Sequence, residues 1–348
     1  MHCHVIGNGK DITRINEDVY FDASDNQHWF TWLLAHIVEN DLLNLGAQPT
    51  DDLISADHYL DLVCRLLTTA KEIDAIVLLA LDAVYDNGSL NKAKTDLWVS
   101  NRCLSDKVKK LNMGLREKGS DKRFFYGASV SPNRPEEEWQ TELDFVFADE
   151  DAVLMKWIPS TQHIKVNEVS PLFYQRLATS GLPLLCHVGP EYSFPEGIRN
   201  MDYDNFDFLK TPLEHNVKVI AAHCASPVFP IKDPNRMKQF RALMDQANAG
   251  DEVRLWADTS ALSLSTRLPV ISEILELFPA KWLVHGTDFP IPIDGLPHLP
   301  FVTHGITPAE YAAIIKTKNP FDRDVKIKRA HGFDDSILTN ASKVLRLP

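Results

Sequence analysis

Short, predominantly apolar runs, several with a polar residue at or near their ends, recur along this chain and constrain its fold more than anything else. The runs span residues 73–81 (IDAIVLLAL), 124–130 (FFYGASV), 153–158 (VLMKWI), 183–188 (PLLCHV), 217–223 (VKVIAAH), 253–258 (VRLWAD) and 282–288 (WLVHGTD). Runs of this length between turn residues suit strands buried on both faces. Stripes with helical spacing lie between them: Leu60, Val63, Leu66 and Leu67; Met237, Phe240, Leu243 and Met244; Val270, Ile271, Ile274, Leu275 and Phe278. Such stripes read as core packing. Gly181 stops one helix just before the run at 183. Strand alternating with helix predicts a parallel α/β sheet.

The spacing is regular enough to count. Lys156, His187, His223, Asp258 and Asp288 lie at strand ends, at intervals of 31, 36, 35 and 30 residues. That is the length of a βα unit, and a run ending at His4 would complete eight strands. The expected fold is an α/β (β/α)8 TIM barrel whose first strand is shortened at the N terminus. The 348 residues exceed the roughly 250 of a typical barrel. One domain over residues 1–348 with insertions is expected; length alone also allows two smaller domains. The extra length falls in two segments, 5–72 and 291–330, the second carrying His298 and His304. Trp29, Trp32 and residues 291–304 suit either a lid or ordinary packing.

Composition narrows the function. Lysine and arginine number 36 against 48 aspartates and glutamates, a net charge of −12, which argues against nucleic acid or an anionic membrane as partner. The lysines at 106–123 read as a solvated helix and turn. The 44% hydrophobic content supplies a large core. Five scattered cysteines form neither a disulfide framework nor a metal knuckle, and a reducing cytoplasm is the expectation. No apolar run reaches the roughly 20 residues of a membrane span, and no signal peptide is recognisable. The expected partner is a small-molecule substrate, with a homo-oligomer possible.

The polar strand ends carry the chemistry. His2 and His4 form a His-x-His pair, and residues two apart in a strand face the same side. In a barrel the ends of all strands converge on one mouth, so Lys156, His187, His223 and Asp288 become neighbours of that pair. Imidazoles and a carboxylate suit zinc, manganese or iron. With 13 histidines in the chain, any one is more often structural; recurrence at strand ends is what singles these out. Cys3 and Cys224 flank these positions and read as packing residues.

The segments MHCHVIGNG, VLMKWIPSTQ, PLLCHVGPE, VIAAHCA, LWADTSA, VHGTDFP and LTNASKVLRL resemble, over nearly the whole chain, the amidohydrolase-related branch of the amidohydrolase superfamily, metal-dependent TIM-barrel hydrolases. The His-x-His pair and the run Gly286, Thr287, Asp288, Phe289, Pro290 are the most specific parts. The resemblance implies His2 and His4 as first-strand metal ligands and His187 as the fifth-strand ligand. It implies His223 as a ligand in two-metal members or a polarising or acid/base residue in one-metal members. Asp288 would bind metal and shuttle the proton of the attacking water. Lys156 matches a position where two-metal members bear a carboxylated lysine; a charged lysine orienting a substrate carboxylate and a structural ion pair are the other readings. Glu191 and Asp258 suit hydrogen bonding to ligands or substrate, or simple loop carboxylates. The implied cofactor is a divalent metal, zinc first, as one or two ions, with manganese or iron(II) as other choices. The implied activity is hydrolysis of an amide, ester or lactone. Two other readings stand beside it: a metal-dependent, non-hydrolytic carboxy-lyase, and a catalytically impaired ligand-binding barrel. Relatives normally carry several residues before the His-x-His pair, and here only Met1 precedes it. Either the true start lies upstream, or the seam beside the first strand is open or patched.

Overall fold

The computed structural model describes residues 2–7, 9–21, 42–47, 55–291 and 305–348. Trp29, Trp32, His298 and His304 lie outside the described residues. Eight strands form one sheet in chain order: β1 His2–His4, β2 Ala75–Leu79, β3 Arg123–Ala128, β4 Ala152–Trp157, β5 Leu184–Cys186, β6 Val219–Ala221, β7 Leu255–Asp258 and β8 Leu283–Val284. Every neighbouring pair is parallel. Helices α1 Ala56–Thr69, α2 Asn101–Glu117, α3 Glu136–Ala148, α4 Pro171–Ser180, α5 Lys210–Glu214, α6 Met237–Ala247, α7 Ile271–Leu277 and α8 Pro320–Ala330 cross between the strands and follow the last. This is the (β/α)8 barrel that the strand count predicts.

The seam beside β1 is closed. The chain after β8 runs along β1, and Cys3 bridges Phe289 in parallel. The His4 amide donates to the Phe289 carbonyl at 2.7 Å, and the Asp288 amide donates to the His2 carbonyl at 3.0 Å. The Thr287 hydroxyl donates to that same carbonyl at 3.0 Å. Three strand residues therefore suffice, because both edges of β1 find backbone partners. Helix α1 reinforces the join. Its N-cap Ser55 accepts from the His58 amide, a stabilising arrangement at a helix start. Its buried Tyr59 donates to the His4 carbonyl at 2.7 Å.

The two-residue period of the strands sorts their side chains. Val77 and Leu79 of β2, Phe125, Leu154, Leu185, Ile220, Trp256 and Val284 fill the barrel interior. Their neighbours Ile76, Leu78, Phe124, Tyr126, Met155 and Leu184 join the larger core beneath the helices. Gly127 is inward-facing and has to be small: a Cβ there would lie 2.5 Å from Leu154 Cδ1 and 2.7 Å from Leu79 Cδ2. One step further along the same inward series come Lys156 after Leu154, His187 after Leu185, and Asp258 after Trp256. The barrel interior thus becomes polar at the C-terminal ends of its strands, where TIM-barrel sites lie.

Below the mouth, α8 is pinned to the last strand by buried charge. Asp324 accepts from Lys328 Nζ at 2.7 Å and from His285 Nε2 at 2.8 Å. Burial, with the nearby Lys328 charge, lowers His285 to about 4. Its unfolded value is near 6.5, so the unfolded chain binds the proton first as pH falls. The expected result is stability fully present above about pH 6.5 and lost progressively toward about pH 4, roughly 3 kcal/mol for this one group. Urea unfolding of metal-free protein across that range measures it, and His285→Gln should flatten the dependence. An unchanged slope in that variant would contradict the assignment.

Candidate metal centre

His2 and His4 both turn into the barrel mouth, on either side of the outward-facing Cys3. Asp288 enters from the loop after β8. His2 Nε2 lies 3.1 Å from Asp288 Oδ1, His4 Nε2 3.2 Å from the same oxygen, and the two imidazole nitrogens 3.1 Å from each other. These three ligand atoms form a compact triangle. Donors at 2.0–2.1 Å from a tetrahedral zinc are about 3.3 Å apart, so the spacing is that of a coordination face.

Hydrogen bonding explains why these atoms face inward bare. His2 Nδ1 lies 2.7 Å from Asp258 Oδ2. Asp258 is held well below the usual carboxylate range; burial opposes this, but His2 and Ser260 outweigh it. An ionised carboxylate only accepts, so the proton sits on Nδ1. Burial, with the Lys156 charge, lowers His2 to about 4. The ring is therefore neutral and its Nε2 carries a lone pair. That lone pair faces Asp288 Oδ1, which is buried with no well-formed hydrogen bond among the described residues and belongs to a carboxyl that His223, His2 and His4 hold well below its normal range against burial. His4 can supply at most one proton to this triangle. A cation is the natural complement of such a cluster.

The same reasoning fixes His223. Ser260 Oγ donates its one proton to Asp258 Oδ1 at 2.5 Å. His223 Nδ1, 2.8 Å from Ser260 Oγ, must then be the donor, which leaves Nε2 free. Asp258 Oδ1 also accepts from the His223 amide at 2.8 Å. One carboxylate thus sets the tautomers of two histidines. His187 Nδ1 faces Glu191 Oε2 at 3.5 Å, and His187 Nε2 is buried with no partner. Burial lowers the pKa of both His187 and His223. The rings of His2 and His223 lie 5.7 Å apart, and those of His187 and His223 5.1 Å apart. His223 and Asp288 have φ of 56° and 70°, and the two residues after His223 are also left-handed. Such backbone is costly for residues other than glycine and concentrates at working sites. Gly286 admits the close approach: a Cβ there would meet His2 Cβ at 2.9 Å and Ser260 Cβ at 3.0 Å.

The predicted residues divide into two groups. His2, His4 and Asp288 converge on one point. His187 and His223 border it through their rings. Lys156 sits in the same mouth, 1% exposed, and its ammonium makes no hydrogen bond or ion pair among the described residues. Burial lowers its pKa, against the pull of Asp258 and Asp288. Cys3 packs against Tyr59, and Cys224 Sγ points to the Asp258 carbonyl. Ser260 and Arg267, which also bear on the site, have no signature in the sequence.

The Amidohydrolase family profile matches residues 116–317, more than half of the chain, and the chain belongs to that family. No curated protein matches it. Among solved structures it is similar to an uncharacterized TIM-barrel protein, Bb4693 from Bordetella bronchiseptica, at 14% identity and TM-score 0.47, covering 88% of this chain and 92% of that one. It is similar to Metarhizium anisopliae IDCase at 12% identity and TM-score 0.46, covering 99% and 93%. It is similar to 5-carboxyvanillate decarboxylase LigW from Sphingomonas paucimobilis at 12% identity and TM-score 0.44, covering 79% of each chain. Shared fold at such distance says nothing of activity. Among the described residues no helix is long and apolar enough to cross a membrane.

Proposed function

We propose that the chain is a metal-dependent hydrolase that splits an amide, ester or lactone bond of a small molecule. The observation that carries this reading is the triangle of His2, His4 and Asp288, with three ligand atoms facing one another. His187 and His223 would complete the ligand set, with room for one ion or two, zinc being the first choice. Such an ion supplies a more acidic water and polarises a carbonyl oxygen. Asp288, ionised and buried, takes the proton of the attacking water and returns it to the leaving group. His223, anchored through Nδ1 on Ser260, presents Nε2 to hold a proton or join the ligands. Asp258 keeps His2 and His223 in the required tautomers. Lys156 is assigned to the site as a bridging group or a cation beside the substrate.

The buried cations Lys156 and Arg267 favour one second reading, a carboxy-lyase whose substrate carboxylate needs a positive partner. Both readings require metal. Purified protein reconstituted with zinc or manganese should retain about one or two equivalents; less than about 0.1 equivalent would sink both. His187→Ala should abolish metal-dependent turnover, and unchanged turnover would remove His187 from the site. Carbon dioxide release set against incorporation of labelled water over a substrate panel separates lyase from hydrolase.

A further inference from the structure

Arg267 lies in the loop between β7 and α7, a few residues beyond Ser260. Its backbone is held by a turn in which its amide donates to the Leu264 carbonyl at 2.9 Å. The start of the same loop is tied to the last strand, the Ala261 amide donating to the Thr287 carbonyl at 3.3 Å. The residue is only 3% exposed. Yet, among the described residues, Nε and Nη1 of its guanidinium are buried without a hydrogen-bond partner, and no carboxylate pairs with it. Its charge bears on His187 and His223, and it interacts with Asp288, Glu191 and Asp258 at longer range. Burial pulls its pKa down, but a guanidinium starts so high that it stays charged.

An arginine in this state is expensive. Nε and Nη1 have lost water and gained no partner among the described residues. A structural arginine would be paired, as Arg134 is with Asp82 at 2.6 Å. The planar fork of a guanidinium matches a carboxylate through two parallel hydrogen bonds, more strongly than any neutral pair. We propose that Arg267 is the receptor for a substrate carboxylate at this mouth, so that the substrate class is an organic acid. The inference deepens the proposed function and rests on it for the identity of the site as catalytic. The chemistry fits both hydrolysis of an acid-bearing substrate and removal of the carboxylate itself. Arg267 would position the acid, and the atoms around Asp288 would carry out the reaction.

The test uses benzoate as the carboxylate probe and benzamide as its neutral isostere, titrated by calorimetry into zinc-loaded and into metal-free protein. Benzoate should bind wild type in both forms, and Arg267→Met should weaken it by tenfold or more in both. Benzamide should be indifferent to the substitution. Unchanged benzoate binding in Arg267→Met overturns the proposal. The metal-free arm keeps the inference apart from the metal reading: protein that retains no zinc sinks the metal reading alone, and the arginine is still judged on benzoate. Thermal unfolding gives an independent readout. Removal of an unpaired buried cation should leave the melting temperature level or raise it, whereas a fall shared by Arg267→Met and Arg267→Lys would mark a structural arginine and overturn the proposal. Should Arg267→Met fail to fold, Arg267→Lys decides. It keeps the charge without the fork, so folded protein with weakened benzoate binding supports the role, and failure to fold again overturns it.

Discussion

Asp288→Asn is expected to lower turnover by about 10²–10⁴-fold, the usual worth of a positioned acid/base group. The substitution is chosen because the backbone should tolerate it. Asp288 has φ of 70°, and asparagine is among the few residues at ease there. The side chain keeps its shape and loses its charge. Two functions then fail together. The carboxylate that lies 3.1 Å from His2 Nε2 and 3.2 Å from His4 Nε2 no longer contributes a negative ligand, and no group remains to accept the proton of the attacking water. Added zinc should stabilise wild type more than the variant, since a ligand that binds only the folded state stabilises in proportion to its affinity. Metal-free variant should be less stable than metal-free wild type, because a carboxyl held below its normal range stabilises the fold as the ionised form. Melting curves with and without zinc, beside turnover, read both effects. Wild-type turnover in Asp288→Asn would remove Asp288 from the chemistry.

Asp324→Ala is expected to cost about 3–5 kcal/mol of stability, the usual penalty for stranding a buried charge. Asp324 is fully buried and joins three elements. It accepts from Ser263 Oγ at 2.5 Å, His285 Nε2 at 2.8 Å and Lys328 Nζ at 2.7 Å. Lys328 also donates to the Gly286 carbonyl at 2.5 Å, two residues before Asp288. The network therefore braces the loop that carries Asp288 as well as the helix behind it. Without the carboxylate, Lys328 is left buried with one carbonyl as its partner. Replacing both partners, as Asp324→Leu with Lys328→Met, should cost less than Asp324→Ala alone, because no unpaired charge remains. Urea unfolding of the two variants measures the difference. Equal losses would mean that packing, and not the charge, makes the contribution.

Much of the barrel was legible because its periods are local. Runs of apolar residues mark strands whatever their partners are, and the spacing of 30–36 residues marks the βα unit. The two-residue alternation that puts Leu154 and Leu185 inside the barrel also carries Lys156 and His187 to the mouth. His2, His4, Asp258 and Asp288 are read in the same way, as polar residues at the ends of buried strands. The pairing that holds β1 was not legible. Closure of the seam depends on carbonyl and amide groups of residues 287–289, and backbone groups carry no sequence signal.

Arg267 and the Ser260–Asp258–His223 relay belong to the other category. Arg267 sits in a loop with no period, and its sequence surroundings resemble those of any surface arginine. Only the path of the chain buries it beside the histidines. The tautomer of His2 follows from the ionised Asp258 and that of His223 from the serine proton given to Asp258, a matter of ångströms between residues 258 and 260 and partners 35 or more residues away. The sequence by itself determined the barrel and which residues stand at its mouth, because strand periodicity is written in consecutive positions. The tertiary structure alone decided which of those residues meet, which atoms face inward bare, and which buried cation has no partner, because hydrogen bonds and desolvation depend on distances that no local pattern encodes.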